Sequence, residues 1–269
     1  MTISKSNIKA NSPIALFDSG VGGLTVLNKL KKILPNETFL YYGDTVHMPY
    51  GEKTKEQLLE YSSKIFDFFK KNNCKAVVMA CNTTSSVIYE DVYKNYDFIL
   101  FSIVHSVSKV LASLDVNSLG VFATKATITS GAYQNLITKF NPNIKVFGQY
   151  CPDWVHFVEE KSMNKPENKQ IILSDLRKML ANNPDKIVLG CTHYPFLTDI
   201  LSEVCPRDMF IDPADYFAEY IKNILSEQDL LTETKSGADK FYVSSNPEQF
   251  VKASEMFCKL DKEPELLTF

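Results

Sequence analysis

Val77-Val78-Met79-Ala80-Cys81-Asn82-Thr83-Thr84-Ser85 is the stretch on which the reading of this chain turns. A short apolar run ends on a cysteine, and small hydroxyl and amide residues follow at once. That pattern predicts a buried strand, a tight turn and the start of a helix, with the thiol at the strand's C-terminal end. Ile187-Val188-Leu189-Gly190-Cys191-Thr192-His193-Tyr194-Pro195 repeats the apolar run, small residue, Cys and Thr 110 positions later. Two thiols on two equivalent strand-to-helix turns point to one site approached from two sides.

Working outward, the same grammar recurs. Residues 14–17 form a short apolar run before Asp18-Ser19-Gly20-Val21-Gly22-Gly23, and a helical pattern covers residues 24–34. This glycine-rich turn fits an anion on a helix N-terminus or close helix–strand packing. A dinucleotide reading is weak, because Thr25 stands where the third glycine belongs and no acidic residue ends the next strand, 38–42. Gly43-Asp44-Thr45 then opens a loop that closes on Pro49-Tyr50-Gly51. A helix over 54–72 leads to the Cys81 strand. A strand over 98–104 runs into a helix reaching residue 114.

Val121-Phe122-Ala123-Thr124 lies over Leu16-Phe17-Asp18-Ser19 at an offset of 105, close to the cysteine offset. Near-equal offsets argue for a duplicated βα unit; chance similarity of apolar strands is the competing reading. A helix over 128–139, a strand over 145–147 and helices to 181 lead to the Cys191 strand. Residues 213–226 read as a helix, 227–239 as an exposed polar connection, and 241–243 as a strand before an Asn246-capped helix that ends the chain. Strands alternating with helices give an α/β fold with mostly parallel sheets.

The 269 residues suffice for one or two domains with a large core. A net charge of −3 leaves no basic footprint for nucleic acid. The polar head lacks a signal-peptide core, and no apolar run is long enough to span a bilayer, so the expectation is a soluble cytoplasmic protein. Its six cysteines are then expected as free thiols, with Cys74, Cys205 and Cys258 structural. Only two arginines exist, Arg177 and Arg207, and neither lies in a motif. A carboxylate ligand must therefore be held by backbone N–H groups, hydroxyls, amides or lysine.

Cys191-x-His193 is not a usual zinc spacing and no Cys-x-x-Cys occurs, so no metal is expected. A helix N-terminus at Cys81 is expected to lower its pKa. A thiol pair suits inversion of a carbon bearing an acidic hydrogen, one thiol removing the proton and the other supplying one to the opposite face. No lysine for a pyridoxal Schiff base sits in either cysteine motif. Carbanion stabilisation then falls to donors such as Asn82, Thr83 and Thr192.

Phe17-Asp18-Ser19-Gly20-Val21-Gly22-Gly23-Leu24-Thr25, Gly43-Asp44-Thr45 with Pro49-Tyr50-Gly51, Ala80-Cys81-Asn82-Thr83 and Gly190-Cys191-Thr192-His193-Tyr194-Pro195, in this order, resemble the glutamate racemases of the aspartate/glutamate racemase superfamily. The likeness extends to Phe241-Tyr242 and Asn246-Pro247-Glu248. It implies a cofactor-independent enzyme making D-glutamate for peptidoglycan, as a homodimer. It also implies two pseudo-symmetric α/β lobes with the active site between them, residues 11–103 plus 212–269 and residues 104–211. By the same resemblance Cys81 and Cys191 are the acid–base pair, Asp18 assists Cys81, His193 assists Cys191, and Glu159 is an auxiliary carboxylate. Asp18, Ser19, Tyr50, Gly51, Asn82, Thr83, Thr192 and His193 match substrate-binding positions, with Thr124 and Thr127 in a threonine-rich loop.

The chain departs from the family at Val104-His105-Ser106-Val107, where an acidic residue, proline and glycine are usual. It departs also at Ala123 and Lys125-Ala126, where glycines are common, and at His156, where proline is usual. The rival readings are a racemase of aspartate or another acidic amino acid, and a non-catalytic relative acting by protein binding, since some relatives interact with DNA gyrase.

Overall fold

The structure is a computed structural model that describes residues 8–235 and 237–269; the first seven residues of the polar head, and Ser236 in the polar connection, lie outside the described residues. Ten strands follow in chain order: β1 (Ile14–Asp18), β2 (Phe39–Gly43), β3 (Ala76–Met79), β4 (Ile99–Ser102), β5 (Ser118–Ala123), β6 (Lys145–Tyr150), β7 (Lys186–Gly190), β8 (Phe210–Ile211), β9 (Lys240–Val243) and β10 (Glu265–Leu266). They form two sheets, ordered β10-β9-β2-β1-β3-β4 and β6-β5-β7-β8. Every strand pair in both is parallel.

The orders β2-β1-β3-β4 and β6-β5-β7-β8 are the same arrangement used twice. β1 corresponds to β5 and β3 to β7, the two matches that the repeat offsets picked out. The molecule is thus an α/β protein of two pseudo-symmetric lobes, with β9 and β10 added at the β2 edge of the first.

Parallel strands covered on both faces must be apolar throughout, and period-2 alternation then divides their side chains between two layers. In β1, Ile14 and Leu16 join one apolar cluster, while Ala15 and Phe17 join another. In β3, Ala76 and Val78 go with the first, Val77 and Met79 with the second. The first cluster continues through Phe101, Val104 and Val107 to Val121 and Ile187, so one core joins the lobes. The helices Leu24–Ile33 and Ile103–Leu111 both pack on the helix Pro213–Glu227 across this junction.

Five expectations change. The strand expected over 98–104 stops at Ser102, whose hydroxyl accepts from His105 N at 3.3 Å and caps the helix Ile103–Leu111. The helix expected over 128–139 is two, Lys125–Ser130 and Ala132–Phe140, broken at Gly131 with φ of 66°. Left-handed backbone of this kind ends a helix, and glycine adopts it without a Cβ penalty. The strand expected over 145–147 extends to Tyr150. The connection over 227–239 is not simply exposed: Leu230 and Asp239 are buried. Lys75 Nζ, itself buried and ion-paired with Glu37, donates to Leu230 O at 2.7 Å and Thr232 Oγ1 at 3.1 Å. A buried ammonium requires such partners, and meeting the requirement pins the connection. Finally, the chain does not end on the helix Pro247–Ser254, because β10 follows and pairs with β9.

Candidate active site

The ends of the strands meet at one cavity of about 60 Å³, several times what one water needs (~10–15 Å³) and of the scale of a small metabolite. Ser19 follows β1, Cys81 to Thr83 follow β3, Thr124 follows β5, Cys151 follows β6, and Cys191 to His193 follow β7; all line the cavity. Tyr50 and Gly51 from the loop after β2, and Glu159 from the helix Trp154–Glu159, complete it. This is the carboxyl face of the strands, where open parallel sheets present their ligand sites.

The lobes approach closely here. A Cβ on Gly22 would fall 2.2 Å from Thr192 Oγ1 and 2.6 Å from His193 Cε1. The glycine-rich turn thus serves close backbone approach between lobes. On the other side, Thr83 Oγ1 and Thr124 Oγ1 lie 2.9 Å apart, and Thr124 and Thr127 share a 3.1 Å hydroxyl contact. Thr127 is buried behind Thr124 and does not line the cavity.

The Cys81 side holds a buried carboxyl. Cys81 is the N-cap of the helix Asn82–Val87 and is buried. Burial, reinforced by the neighbouring Asp18 carboxylate, pushes its pKa up to about 12; the N–H groups of Thr84 and Thr83 oppose the rise without cancelling it. The expected lowering at a helix N-terminus is therefore overturned, because desolvation of the sulfur outweighs a few backbone dipoles. Asp18 is also buried and does not itself line the cavity. Its Oδ1 accepts from Gly20 N at 3.0 Å, while Oδ2 meets no donor in hydrogen-bond geometry among the described residues. Burial raises its pKa, with His193 and the N–H groups of Gly20 and Gly23 working the other way.

The Cys191 side carries a charged partner. Cys191 leads not into an α-helix but into a 3-10 turn, Tyr194–Leu197, so the two turns are less alike than expected. His193 is buried, with Nδ1 3.8 Å from Cys191 Sγ and 3.5 Å from Thr192 Oγ1. Its Nε2 lies 3.0 Å from Glu159 Oε1, an ion pair whose angle is outside hydrogen-bond geometry. Burial alone would depress the imidazolium. The Cys191 sulfur and the Glu159 carboxylate outweigh it and push the pKa up to about 10. His193 thus sits between the Cys191 sulfur and the Glu159 carboxylate, which together favour its charged form.

Sequence reading missed several members of the site. Tyr133, from the helix Ala132–Phe140, donates its hydroxyl to Asn82 Oδ1 at 2.8 Å. Asp44 accepts from the Tyr50 hydroxyl and pairs with His47 Nδ1 at 2.8 Å, bracing the loop that carries Tyr50 and Gly51. Cys151 and Lys125 also line the cavity, Lys125 being its one Lys or Arg among the described residues. Of these, Asp44, in Gly43-Asp44-Thr45, and Lys125, beside Ala126, stood in noted segments, without a role; a lone Tyr in a helix carries no local signal. Among the described residues no group of three or more His, Cys, Asp and Glu is placed to hold a metal ion, and no helix is long and apolar enough to cross a membrane.

Residues 22–221 match the family described as Asp/Glu/Hydantoin racemase. The chain is 36% identical over 246 residues to a glutamate racemase of Thermoanaerobacter sp. (strain X514), covering 91% of this chain and 92% of that one. Its fold superposes with a TM-score of 0.86 on the crystal structure of glutamate racemase from Francisella tularensis subsp. tularensis SCHU S4 in complex with D-glutamate, at 32% identity over 96% of this chain and 98% of that one. The Picrophilus torridus aspartate racemase shares the fold at a TM-score of 0.57 and 16% identity, covering 82% of this chain and 99% of that one.

Proposed function

The chain belongs to the Asp/Glu/Hydantoin racemase family, and from that premise we propose that it interconverts L- and D-glutamate by removing the α-proton with one cysteine thiolate and returning a proton from a second cysteine thiol on the opposite face. The observation that carries this reading is the pair Cys81 and Cys191 on the walls of one small cavity, on corresponding strands of the two lobes. One sulfur, as thiolate, takes the α-proton from one face of the substrate and becomes a thiol. The other, as thiol, gives a proton to the opposite face and becomes a thiolate. The carbon inverts, and the enzyme is left in the reversed protonation state.

The surroundings suit the L-to-D direction at rest. By the likeness to glutamate racemases we assign the α-proton of L-glutamate to Cys191 and that of D-glutamate to Cys81; a charged His193 beside the Cys191 sulfur favours negative charge there. Cys81, with its raised pKa, is the proton-bearing thiol. Between them the Asn82 amide, the Thr83 and Thr192 hydroxyls and the backbone N–H groups at the start of the helix Asn82–Val87 face the developing negative charge of the carboxylate. Ser19, Tyr50, Gly51 and Thr124 complete the substrate's surroundings, and Lys125 supplies a positive charge. Pyridoxal has no role in this scheme.

The likeness to glutamate racemases supports placing the product in peptidoglycan synthesis, with the enzyme cytoplasmic and homodimeric. Incubation of the purified protein with L-glutamate and, separately, L-aspartate, without pyridoxal phosphate and with EDTA, followed by chiral chromatography, tests the reading. Accumulation of D-glutamate toward an equimolar mixture is expected. Racemisation of aspartate alone, or activity abolished by EDTA and restored by zinc, would overturn it.

A further inference from the structure

Tyr133 touches both thiol turns at once without lining the cavity. Its ring belongs to the second lobe and packs against Gly190, the residue before Cys191: a Cβ on Gly190 would lie 3.2 Å from Tyr133 Cε2. Its hydroxyl crosses to the first lobe and meets Asn82, the residue after Cys81, at 2.8 Å. Tyr133 and Asn82 are both buried. We propose that Tyr133 is a positioning residue that orients the Asn82 carboxamide, fixing its NH2 toward the substrate and holding the two thiol turns in register. This rests on the racemase reading for its consequence, and on geometry alone for its existence.

The reasoning is that of hydrogen-bond inventory. A primary amide has one acceptor oxygen and two N–H donors, and nothing in its shape tells the ends apart. The partner decides which end points where. Burial raises the Tyr133 pKa, so the phenol keeps a proton to donate, and the carboxamide is placed with its oxygen toward that hydroxyl. The hydroxyl donates to Oδ1, which leaves the NH2 end of Asn82 as the one free for the cavity that Asn82 lines. A carboxylate bearing developing negative charge needs donors. An amide turned the other way would present an oxygen and repel it. Gly190 contributes by lacking a Cβ, which would meet Phe122 O at 2.9 Å and the ring edge at 3.2 Å, so one rigid phenol lies directly between the residue before Cys191 and the residue after Cys81.

Tyr133→Phe removes the hydroxyl and keeps the ring. The direct readout is the side-chain NH2 resonance pair of Asn82 in a nitrogen–proton correlation spectrum, assigned as the pair missing from Asn82→Ala. It is expected to move in Tyr133→Phe while the backbone pattern away from the cavity stays in place. In the assay, kcat/KM for glutamate is expected to fall roughly 3- to 10-fold, the worth of about one neutral hydrogen bond. The same substitution added to Asn82→Ala is expected to cost nothing further, since the amide it orients is gone. An unmoved Asn82 resonance pair, or effects of the two substitutions that simply multiply, would overturn the proposal. Because the spectrum is read without substrate, a wild-type protein inert toward glutamate would sink the racemase reading while leaving the orientation of Asn82 decided.

Discussion

The turns after β3 and β7 are built from the same local pattern and hold their thiols in opposite electrostatic surroundings. Cys81 caps a regular helix and sits beside the buried carboxyl of Asp18, with burial and that neighbour both disfavouring its thiolate. Cys191 enters a 3-10 turn and faces the His193 imidazolium, itself steadied by Glu159. Duplication supplied a pair of thiols at matching places on two sheets. Their neighbours differ: a carboxyl stands beside one sulfur and an imidazole beside the other. In the proposed turnover one sulfur begins as thiolate and the other as thiol, and the two exchange states.

The sharpest way to break this comparison is to remove one thiol at a time. Cys81→Ala and Cys191→Ala are each expected to lose racemisation by more than ~10⁴-fold, beyond the range for auxiliary acid–base assistance. Proton NMR in D₂O separates their roles. Cys191→Ala is expected to retain α-hydrogen exchange of D-glutamate through Cys81, and Cys81→Ala that of L-glutamate through Cys191. Interconversion near the wild-type rate in either variant would end the two-thiol mechanism, and exchange of the same enantiomer by both would reverse the facial assignment.

Next in size are the auxiliary groups. Asp18→Asn and His193→Asn are each expected to slow turnover about 10²- to 10⁴-fold. The asymmetry predicts where each is felt: Asp18→Asn in exchange of D-glutamate, His193→Asn in exchange of L-glutamate. Equal losses for both enantiomers in both variants would mean that the two sides are not electrostatically distinct.

The smallest effect is on stability. The folded pKa of His193 is raised from 6.5 to about 10. A raised value means that the native state holds this proton more tightly than the unfolded chain does. Its contribution is therefore complete below about pH 6.5 and is lost as pH rises to about 10, with a slope of at most about 1.4 kcal/mol per pH unit for one proton. Glu159→Gln removes one of the groups that raise the value, so the decline should end at lower pH. Urea melts across pH 6.5–10 check this; parallel stability curves for wild type and variant would show that Glu159 does not hold the proton on His193.

The readable parts of the site were those whose signal is local. Apolar runs ending in Cys, with small polar residues next, located β3, β7 and their turns, and the shared offset anticipated the repeated strand order. Helix ends were harder. Nothing in the periodicity of residues 98–104 marks where strand becomes helix; Ser102 decides it by capping. The pKa of Cys81 was misjudged because a helix N-terminus is visible in a sequence, whereas the desolvation around a sulfur is not.

The sequence by itself determined the kind of fold and put the two thiols on matching turns, because period-2 and period-3.6 patterning and turn chemistry act over a few residues; Asp18 and His193 were named by the resemblance to glutamate racemases. Only the tertiary structure decided that Gly22 lies under Thr192 and His193, that Glu159 reaches His193, that Asn82 is held by Tyr133, and that Cys81 is pushed up rather than down. Each of these depends on residues tens of positions apart meeting across two lobes. Coulomb and desolvation energies are functions of distance and burial in space, and separation along the chain does not enter them.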